Sequence, residues 1–123
     1  MKTKMLSLLF AFTFTHFFAV ASSGLPEDEI VGKWNKSGIV WSLNADHTFT
    51  FLNGSSSISG KYTVKGDEVT IVDETATGMA QACGPDKKGV YKFKIIGNTL
   101  TLTEVSDTCT GRSGEVIGNY DRK

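Results

Sequence analysis

The strongest constraint in this sequence is an alternation of apolar and polar residues with a period of two, which runs from residue 30 almost to the end. In the segment 39–43, for example, Ile39, Trp41 and Leu43 alternate with the residues between them. Such alternation indicates half-buried β-strands, and turn dipeptides such as Asn53-Gly54 favour tight hairpins between them. No segment beyond residue 30 has a convincing helical period of 3.6 residues. The pattern therefore predicts an all-β domain.

Eight strand segments can be placed by this alternation. They cover residues 30–35, 39–43, 47–52, 57–64, 68–74, 90–96, 99–105 and 115–122. Six of the seven connections are short turns, and the exception is a long loop at residues 75–88. An open sheet of this width would leave exposed edges and a bare apolar face, whereas a closed barrel removes both. A two-sheet sandwich is the alternative, but it needs longer crossovers than these turns provide. We therefore expect an eight-stranded antiparallel up-and-down barrel.

The first 21 residues have the pattern of a secretory signal peptide. Lys2 and Lys4 precede an apolar run at residues 5–20, and Ala19-Val20-Ala21 supplies a small-x-small cleavage site. The run is too short, and too often interrupted by polar residues, for a membrane anchor. We therefore expect a signal peptide at 1–21, a flexible N-terminal arm at 22–29 and a barrel domain at 30–123. The mature chain would be secreted, extracellular or periplasmic, with no membrane span.

Charge and cysteine content narrow the classes of partner and chemistry. Removal of Lys2 and Lys4 leaves 11 of the 13 basic residues, against 13 acidic ones. No basic patch suggests a nucleic-acid partner. Cys83 and Cys109 are the only cysteines, and an even number in an exported chain favours a disulfide. A reactive thiol is the rival reading, but His47 is the only histidine left to act as a base. We expect a monomer.

A second group of observations concerns Val31-Gly32-Lys33-Trp34 at the first strand. This Gly-x-Trp resembles the motif that opens lipocalin and related calycin barrels. In those folds the tryptophan closes one end of the barrel beside a basic residue of the last strand, and Arg122 would take that role here. The resemblance implies structural roles for Gly32, Trp34 and Arg122.

Later segments also look like successive pieces of small secreted lipocalin-like proteins. They read GVYKF at 89–93, GNTLTL at 97–102 and DTCTGR at 107–112. The chain is shorter than a typical lipocalin. Lipocalins have a helix before the last strand, and we expect no helical segment between Arg112 and Glu115.

The sequence offers no constellation of catalytic or metal-binding residues. There is no G-x-S-x-G elbow for a serine nucleophile. Asp46 and His47, like Asp73 and Glu74, are neighbours on a strand, so their side chains should point to opposite faces. We therefore predict no catalytic residue, no metal site, no cofactor and no enzymatic activity. Asp107 and Arg112 could meet across the turn around Cys109, and we interpret them as a structural ion pair rather than a binding site.

Two functions remain open. The first is a carrier that holds a small apolar ligand inside the barrel, although the same inward-facing side chains could equally form a solid core. The residues proposed to line the interior are Trp41, Leu43, Phe49, Phe51, Tyr62, Ile71, Tyr91, Phe93, Leu100, Leu102 and Tyr120. The second is a protein-binding module, such as an inhibitor of a secreted hydrolase, acting through an arm at residues 22–26. A disordered terminus is the simpler interpretation of that arm.

Overall fold

A computed structural model describes residues 25–123, which form eight strands and two short helices. The predicted signal peptide at 1–21 and residues 22–24 of the predicted arm lie outside the described residues. In chain order the elements are α1 (Pro26–Ile30), β1 (Gly32–Lys36), β2 (Ile39–Leu43), β3 (Thr48–Asn53), β4 (Ser56–Lys65), β5 (Glu68–Thr77), β6 (Gly89–Ile96), β7 (Thr99–Asp107), α2 (Arg112–Val116) and β8 (Gly118–Arg122).

The strands close into a barrel in which each pairs antiparallel with its neighbours in sequence. The last strand, β8, returns to β1, where Trp34 lies opposite Arg122 and Asn35 opposite Asp121. The predicted all-β class and eight-stranded up-and-down barrel are therefore confirmed. Closure leaves no unpaired sheet edge. Strand β5 continues to Thr77, so the long loop is shorter than predicted and covers residues 78–88.

The barrel interior is filled by apolar side chains. Alternate residues of a strand face opposite sides of the sheet, so one apolar set from each strand points inward. All of the residues proposed from the sequence to face the interior are buried: Trp41, Leu43, Phe49, Phe51, Tyr62, Ile71, Tyr91, Phe93, Leu100, Leu102 and Tyr120. They form one core cluster with Ile30, Trp34, Val69 and Val116.

One end of the barrel is covered by α1 and the start of β1. Trp34 is fully buried, and its indole N–H donates to the carbonyl oxygen of Ile30 at 2.9 Å. The guanidinium carbon of Arg122 lies 4.2 Å from the centre of the Trp34 ring, and its Nη2 donates to the carbonyl of Glu29 at 3.0 Å. Gly32 has a φ of 141°, and a Cβ there would lie 2.9 Å from Arg122 Nη1. Arg122 therefore connects the last strand to the N-terminal segment. Part of the predicted arm at 22–29 belongs to α1 and is helical.

The expectation that no helical segment lies between Arg112 and Glu115 was wrong, because α2 occupies Arg112–Val116. A five-residue helix is too short to produce a visible 3.6-residue period, and it contains a glycine, a poor helix former. Tertiary contacts hold it in place. Lys36 Nζ donates to the carbonyl oxygens of Glu115 at 2.5 Å and Ile117 at 2.8 Å, which satisfies orphan carbonyls at its C-terminus. The last strand consequently begins at Gly118 instead of residue 115.

Candidate functional site

A cleft of about 740 Å³ opens at the barrel end opposite α1. This end carries the β3–β4 turn, the 78–88 loop and the turn between β7 and α2, because the strands alternate in direction. The cleft is lined by Phe51, Asn53, Ser56, Ser57, Ile58, Asp73, Met79, Ala80, Gln81, Ala82, Cys83, Lys87, Cys109, Thr110, Gly111, Arg112 and Glu115. Its volume lies within the range of about 300–1,000 Å³ that is usual for small-molecule sites.

A buried ionic cluster forms the inner wall of this cleft, with Arg112 at its centre. Only 8% of Arg112 is exposed, although its guanidinium carries a full charge. Its Nε donates to Asp107 Oδ2 at 2.8 Å and its Nη2 to Asp107 Oδ1 at 2.7 Å. Nη2 also donates to the carbonyl of Lys87 at 2.8 Å, which ties the end of the 78–88 loop to α2. The sequence-based interpretation of Asp107 and Arg112 as an ion pair matches this geometry, but the cluster is larger than that pair.

Asp73 is the member of the cluster that the sequence analysis missed. It is 1% exposed, and its Oδ1 lies 3.3 Å from Arg112 Nη1. Its Oδ2 accepts a hydrogen bond from the backbone N–H of Cys83 at 3.1 Å. The signal was present in the alternation, because Asp73 is in phase with the inward-facing Val69 and Ile71 on β5. Its neighbour Glu74 faces outward and is exposed, so the two carboxylates do not form a pair.

The protonation of the cluster follows from its contacts. Burial by itself raises the pKa of the Asp107 carboxyl, but hydrogen bonds from Arg112, Tyr91 and the Cys109 N–H outweigh it and lower the pKa. Burial acts to lower the pKa of Arg112, while its bonds to Asp107 and the charge of Asp73 raise it overall. Burial, and then the hydrogen bond that the Tyr91 hydroxyl donates to Asp107, raise the pKa of Tyr91. At neutral pH Arg112 is therefore charged, Asp107 is ionised and Tyr91 is neutral.

The disulfide joins two walls of the cleft. Cys83 in the 78–88 loop is bonded to Cys109, with their Cα atoms 5.9 Å apart, so the pairing predicted from the cysteine count is present. Each cysteine also donates its backbone N–H to a carboxylate of the cluster, Cys83 to Asp73 and Cys109 to Asp107 at 2.9 Å. The disulfide thus links the 78–88 loop to the turn before α2, and the backbone hydrogen bonds anchor each of these segments to a carboxylate of the cluster.

A small void of about 20 Å³ lies between the core and the ionic cluster. Trp41 Nε1 and Arg112 Nη1 are buried side-chain atoms with no hydrogen-bond partner within residues 25–123. Both side chains border the void, which is lined by Trp41, Phe49, Phe51, Ile58, Ile71, Asp73, Arg112, Glu115 and Val116.

The residues proposed from the sequence as ligand contacts are distributed unevenly around these spaces. Phe51 is the one member of that set that lines the cleft. Trp41, Phe49, Phe51 and Ile71 border the small void, and the others pack within the core. Six of the residues that line the cleft lie on β3, β4 and β5, and the other eleven lie in the 78–88 loop, the turn between β7 and α2, and α2, where no strand alternation exists to identify them.

Other sequence features lie away from the cleft. Asp46 and His47 are exposed in the β2–β3 turn, where Asp46 accepts hydrogen bonds from Thr48. Within the described part of the chain, no group of three or more His, Cys, Asp or Glu residues could hold a metal ion. No helix among residues 25–123 is long and apolar enough to cross a membrane. Of the proposed binding arm at 22–26, the structure describes Leu25, whose side chain is exposed, and Pro26, which begins α1.

Comparisons with known proteins yield no relative: no family model, no curated protein and no solved structure matches this chain. The fold and the cleft themselves are therefore the basis for considering its function. They define a disulfide-bonded, closed eight-stranded antiparallel β-barrel with one covered end and one end that carries a cleft.

Proposed function

We propose that the protein is a non-catalytic, secreted, lipocalin-like barrel that binds a small, largely apolar ligand in the cleft opposite α1. The observation that carries this proposal is the cleft of about 740 Å³, which has the volume of a ligand site and is braced by a disulfide and buried ion pairs. The contact between Trp34 and Arg122 at the covered end supports the calycin-like assignment. A disulfide-bonded fold is compatible with secretion.

The packing of the barrel favours the cleft over the interior as the binding site. An eight-stranded barrel is just wide enough either to be filled by side chains or to hold one small ligand. Here four large side chains, Trp34, Trp41, Tyr91 and Tyr120, are fully buried in the interior. The void of about 20 Å³ beside the core is far too small for a ligand molecule. We therefore place the ligand site at the end of the barrel and not in the interior, where the sequence suggested it.

The apolar part of the cleft comes from both sides. Phe51 and Ile58 contribute from the β3–β4 hairpin, while Met79, Ala80 and Ala82 contribute from the 78–88 loop. Met79 is unusual among the apolar residues because 93% of the residue's surface is exposed. Methionine is flexible and polarizable, which suits a contact that must adapt to a ligand. An apolar ligand in the cleft would cover part of this surface.

Titration of the mature protein with the neutral fluorescent probe N-phenyl-1-naphthylamine tests the proposal. We expect saturable binding with one site per chain. Met79→Asp places a charge on the cleft wall and should weaken probe binding by about tenfold, equivalent to about 1.4 kcal/mol. Ile96→Asp is the matched control, because Ile96 is also an exposed apolar residue but lies at the opposite end of the barrel.

Two results would contradict the cleft as the binding site. One is the absence of saturable probe binding to a protein whose circular dichroism shows a folded barrel. The other is an equal loss of affinity in Met79→Asp and Ile96→Asp. The alternative function, an inhibitor of a secreted hydrolase acting through residues 22–26, stays a prediction, and deletion of those residues tests it by loss of inhibition with unchanged probe binding.

A further inference from the structure

The small void adjoins the cleft. The two spaces share five lining residues: Phe51, Ile58, Asp73, Arg112 and Glu115. A ligand that occupies the cleft can therefore direct one end toward the void. The volume of about 20 Å³ is enough for one water-sized group but not for a larger polar head.

The polar atoms of the residues that line the void determine which hydrogen bonds a group placed there would make. Trp41 Nε1 and Arg112 Nη1 are buried donors without a hydrogen-bond partner in the described chain. Buried donors of this kind are rare, because a donor that leaves water without gaining a new hydrogen-bond partner destabilises the fold. Asp73 Oδ1 is an acceptor 3.3 Å from Arg112 Nη1. The residues that line the void thus carry two unpartnered donors and one acceptor, and a hydroxyl group can accept from donors and donate to a carboxylate.

The charges around the void disfavour the two common ionic head groups. Arg112 already faces two carboxylates, Asp73 and Asp107, so a ligand carboxylate would add a third negative charge at a buried position. An ammonium group has no lone pair, so it could not accept from Trp41 Nε1 or Arg112 Nη1. A neutral oxygen satisfies both donors without adding charge.

We propose that the void receives the hydroxyl group of an apolar alcohol, whose hydrocarbon part lies in the cleft. This inference rests on the proposed function and specifies the class of ligand. Trp41 and Arg112 donate to the hydroxyl oxygen, and the hydroxyl hydrogen is donated to Asp73. An alcohol is therefore selected over an acid or an amine of the same length.

Isothermal titration calorimetry of the mature protein at pH 7 with 1-decanol, decanoate and decylamine tests the head-group preference. The three probes each have a linear skeleton of ten carbon atoms and differ in the terminal group. We expect 1-decanol to bind about tenfold more tightly than either ion, a ratio that corresponds to about 1.4 kcal/mol. Equal affinity for 1-decanol and decanoate, or tighter binding of decanoate, would overturn the inference.

Two variants connect the preference to named residues. Asp73→Asn removes one negative charge, so decanoate should gain affinity and the ratio should fall below about threefold. Glu74→Gln is its matched control, because Glu74 is the exposed neighbouring carboxylate on the same strand, and the ratio should not change. Trp41→Phe keeps an aromatic ring but removes the indole donor, and should weaken 1-decanol binding about threefold to tenfold. If Asp73→Asn does not fold, the inference is tested by Trp41→Phe and by the affinities of the wild-type protein for the three decyl probes.

The outcome separates this inference from the function on which it rests. If N-phenyl-1-naphthylamine binds but the three decyl probes do not differ, the cleft is a binding site and the void is not a hydroxyl site. If neither the naphthylamine nor any decyl probe binds, both proposals are wrong.

Discussion

Arg112 and Asp107 are joined by two parallel hydrogen bonds, from Nε to Oδ2 at 2.8 Å and from Nη2 to Oδ1 at 2.7 Å. Their side chains are only 6% and 0% exposed. This bidentate contact connects the start of α2 to the end of β7, and the Cys109 N–H donates to the same carboxylate. The cleft wall and the barrel core therefore share one ionic cluster, whose removal should affect both stability and binding.

Asp107→Asn should destabilise the protein by about 3 kcal/mol, because it leaves the buried Arg112 without the carboxylate that accepts two of its hydrogen bonds. Urea unfolding followed by circular dichroism measures the change. Asp121→Asn, at an exposed carboxylate of β8, is the control and should change the free energy of unfolding by less than about 0.5 kcal/mol. Similar losses of unfolding free energy in the two variants would show that the buried ion pair contributes no more to stability than an exposed carboxylate does.

Stability should decrease at low pH through the same carboxyl. Burial alone would raise the pKa of Asp107, but the hydrogen bonds from Arg112, Tyr91 and the Cys109 N–H lower it below its ordinary value of 3.8. The unfolded chain therefore binds this proton at higher pH than the folded chain does. The stabilisation is complete above the unfolded pKa and is lost as the pH falls through the folded pKa.

Urea titrations between about pH 5 and about pH 2 measure this dependence. The free energy of unfolding should fall more steeply in the wild type than in Asp107→Asn, which cannot titrate at this position. Parallel pH profiles for the two proteins would contradict the assignment.

Replacement of both cysteines by alanine should destabilise the protein by about 3.5 kcal/mol, the chain-entropy value for the 26-residue separation of Cys83 and Cys109. Because the disulfide ties the 78–88 loop to the turn before α2, the loop should also lose protection in amide hydrogen exchange. Affinity for N-phenyl-1-naphthylamine should fall with it. Reduction of the wild-type protein by dithiothreitol provides an independent control, and the prediction fails if loop protection is unchanged in both.

Arg122→Ala should loosen the covered end of the barrel and reduce stability by about 1–2 kcal/mol. The variant loses the contact with the Trp34 ring and the hydrogen bonds to the carbonyls of Glu29 and Val31. Lysine at this position keeps the charge but not the planar fork, so Arg122→Lys should restore only part of the loss.

The rate of hydrogen exchange at the Trp34 indole N–H, measured by NMR, reports directly on this end of the barrel. It should accelerate in Arg122→Ala, because the bond to the Ile30 carbonyl depends on the position of α1. Lys123→Ala is the neighbouring control. Equal exchange in the two variants would mean that Arg122 is not what holds α1 in place.

Much of the fold could be predicted because strand alternation is a local property. A residue at an inward position points inward whatever the strand pairs with, so Trp41, Phe49 and Leu100 were placed in the interior correctly. Short turns between consecutive strands then leave few topologies, and closure of β8 onto β1 follows from the need to cover both edges. The disulfide could be predicted from the presence of two cysteines alone.

Strand alternation predicted less of the candidate site than of the fold. The phase of Asp73 with Ile71 on β5 shows that Asp73 faces inward. The sequence does not show that Arg112 is the residue that contacts it. Arg112 lies on a five-residue helix that has no period of its own, and Lys36 of β1 holds that helix from a distant part of the chain. The volume of the cleft depends on how the 78–88 loop folds back, which no alternation describes.

The sequence alone therefore determined the strands and their inward faces, because these depend on neighbours in the chain. It also determined the cysteine pair, through the cysteine count, and the closed barrel, through the need to leave no free sheet edge. Tertiary structure alone decided that the interior is packed, that α2 forms, and that Asp73 joins the pair of Arg112 and Asp107 beneath a cleft. Those features depend on distances between segments that are remote in sequence, and such distances exist only after the barrel has closed.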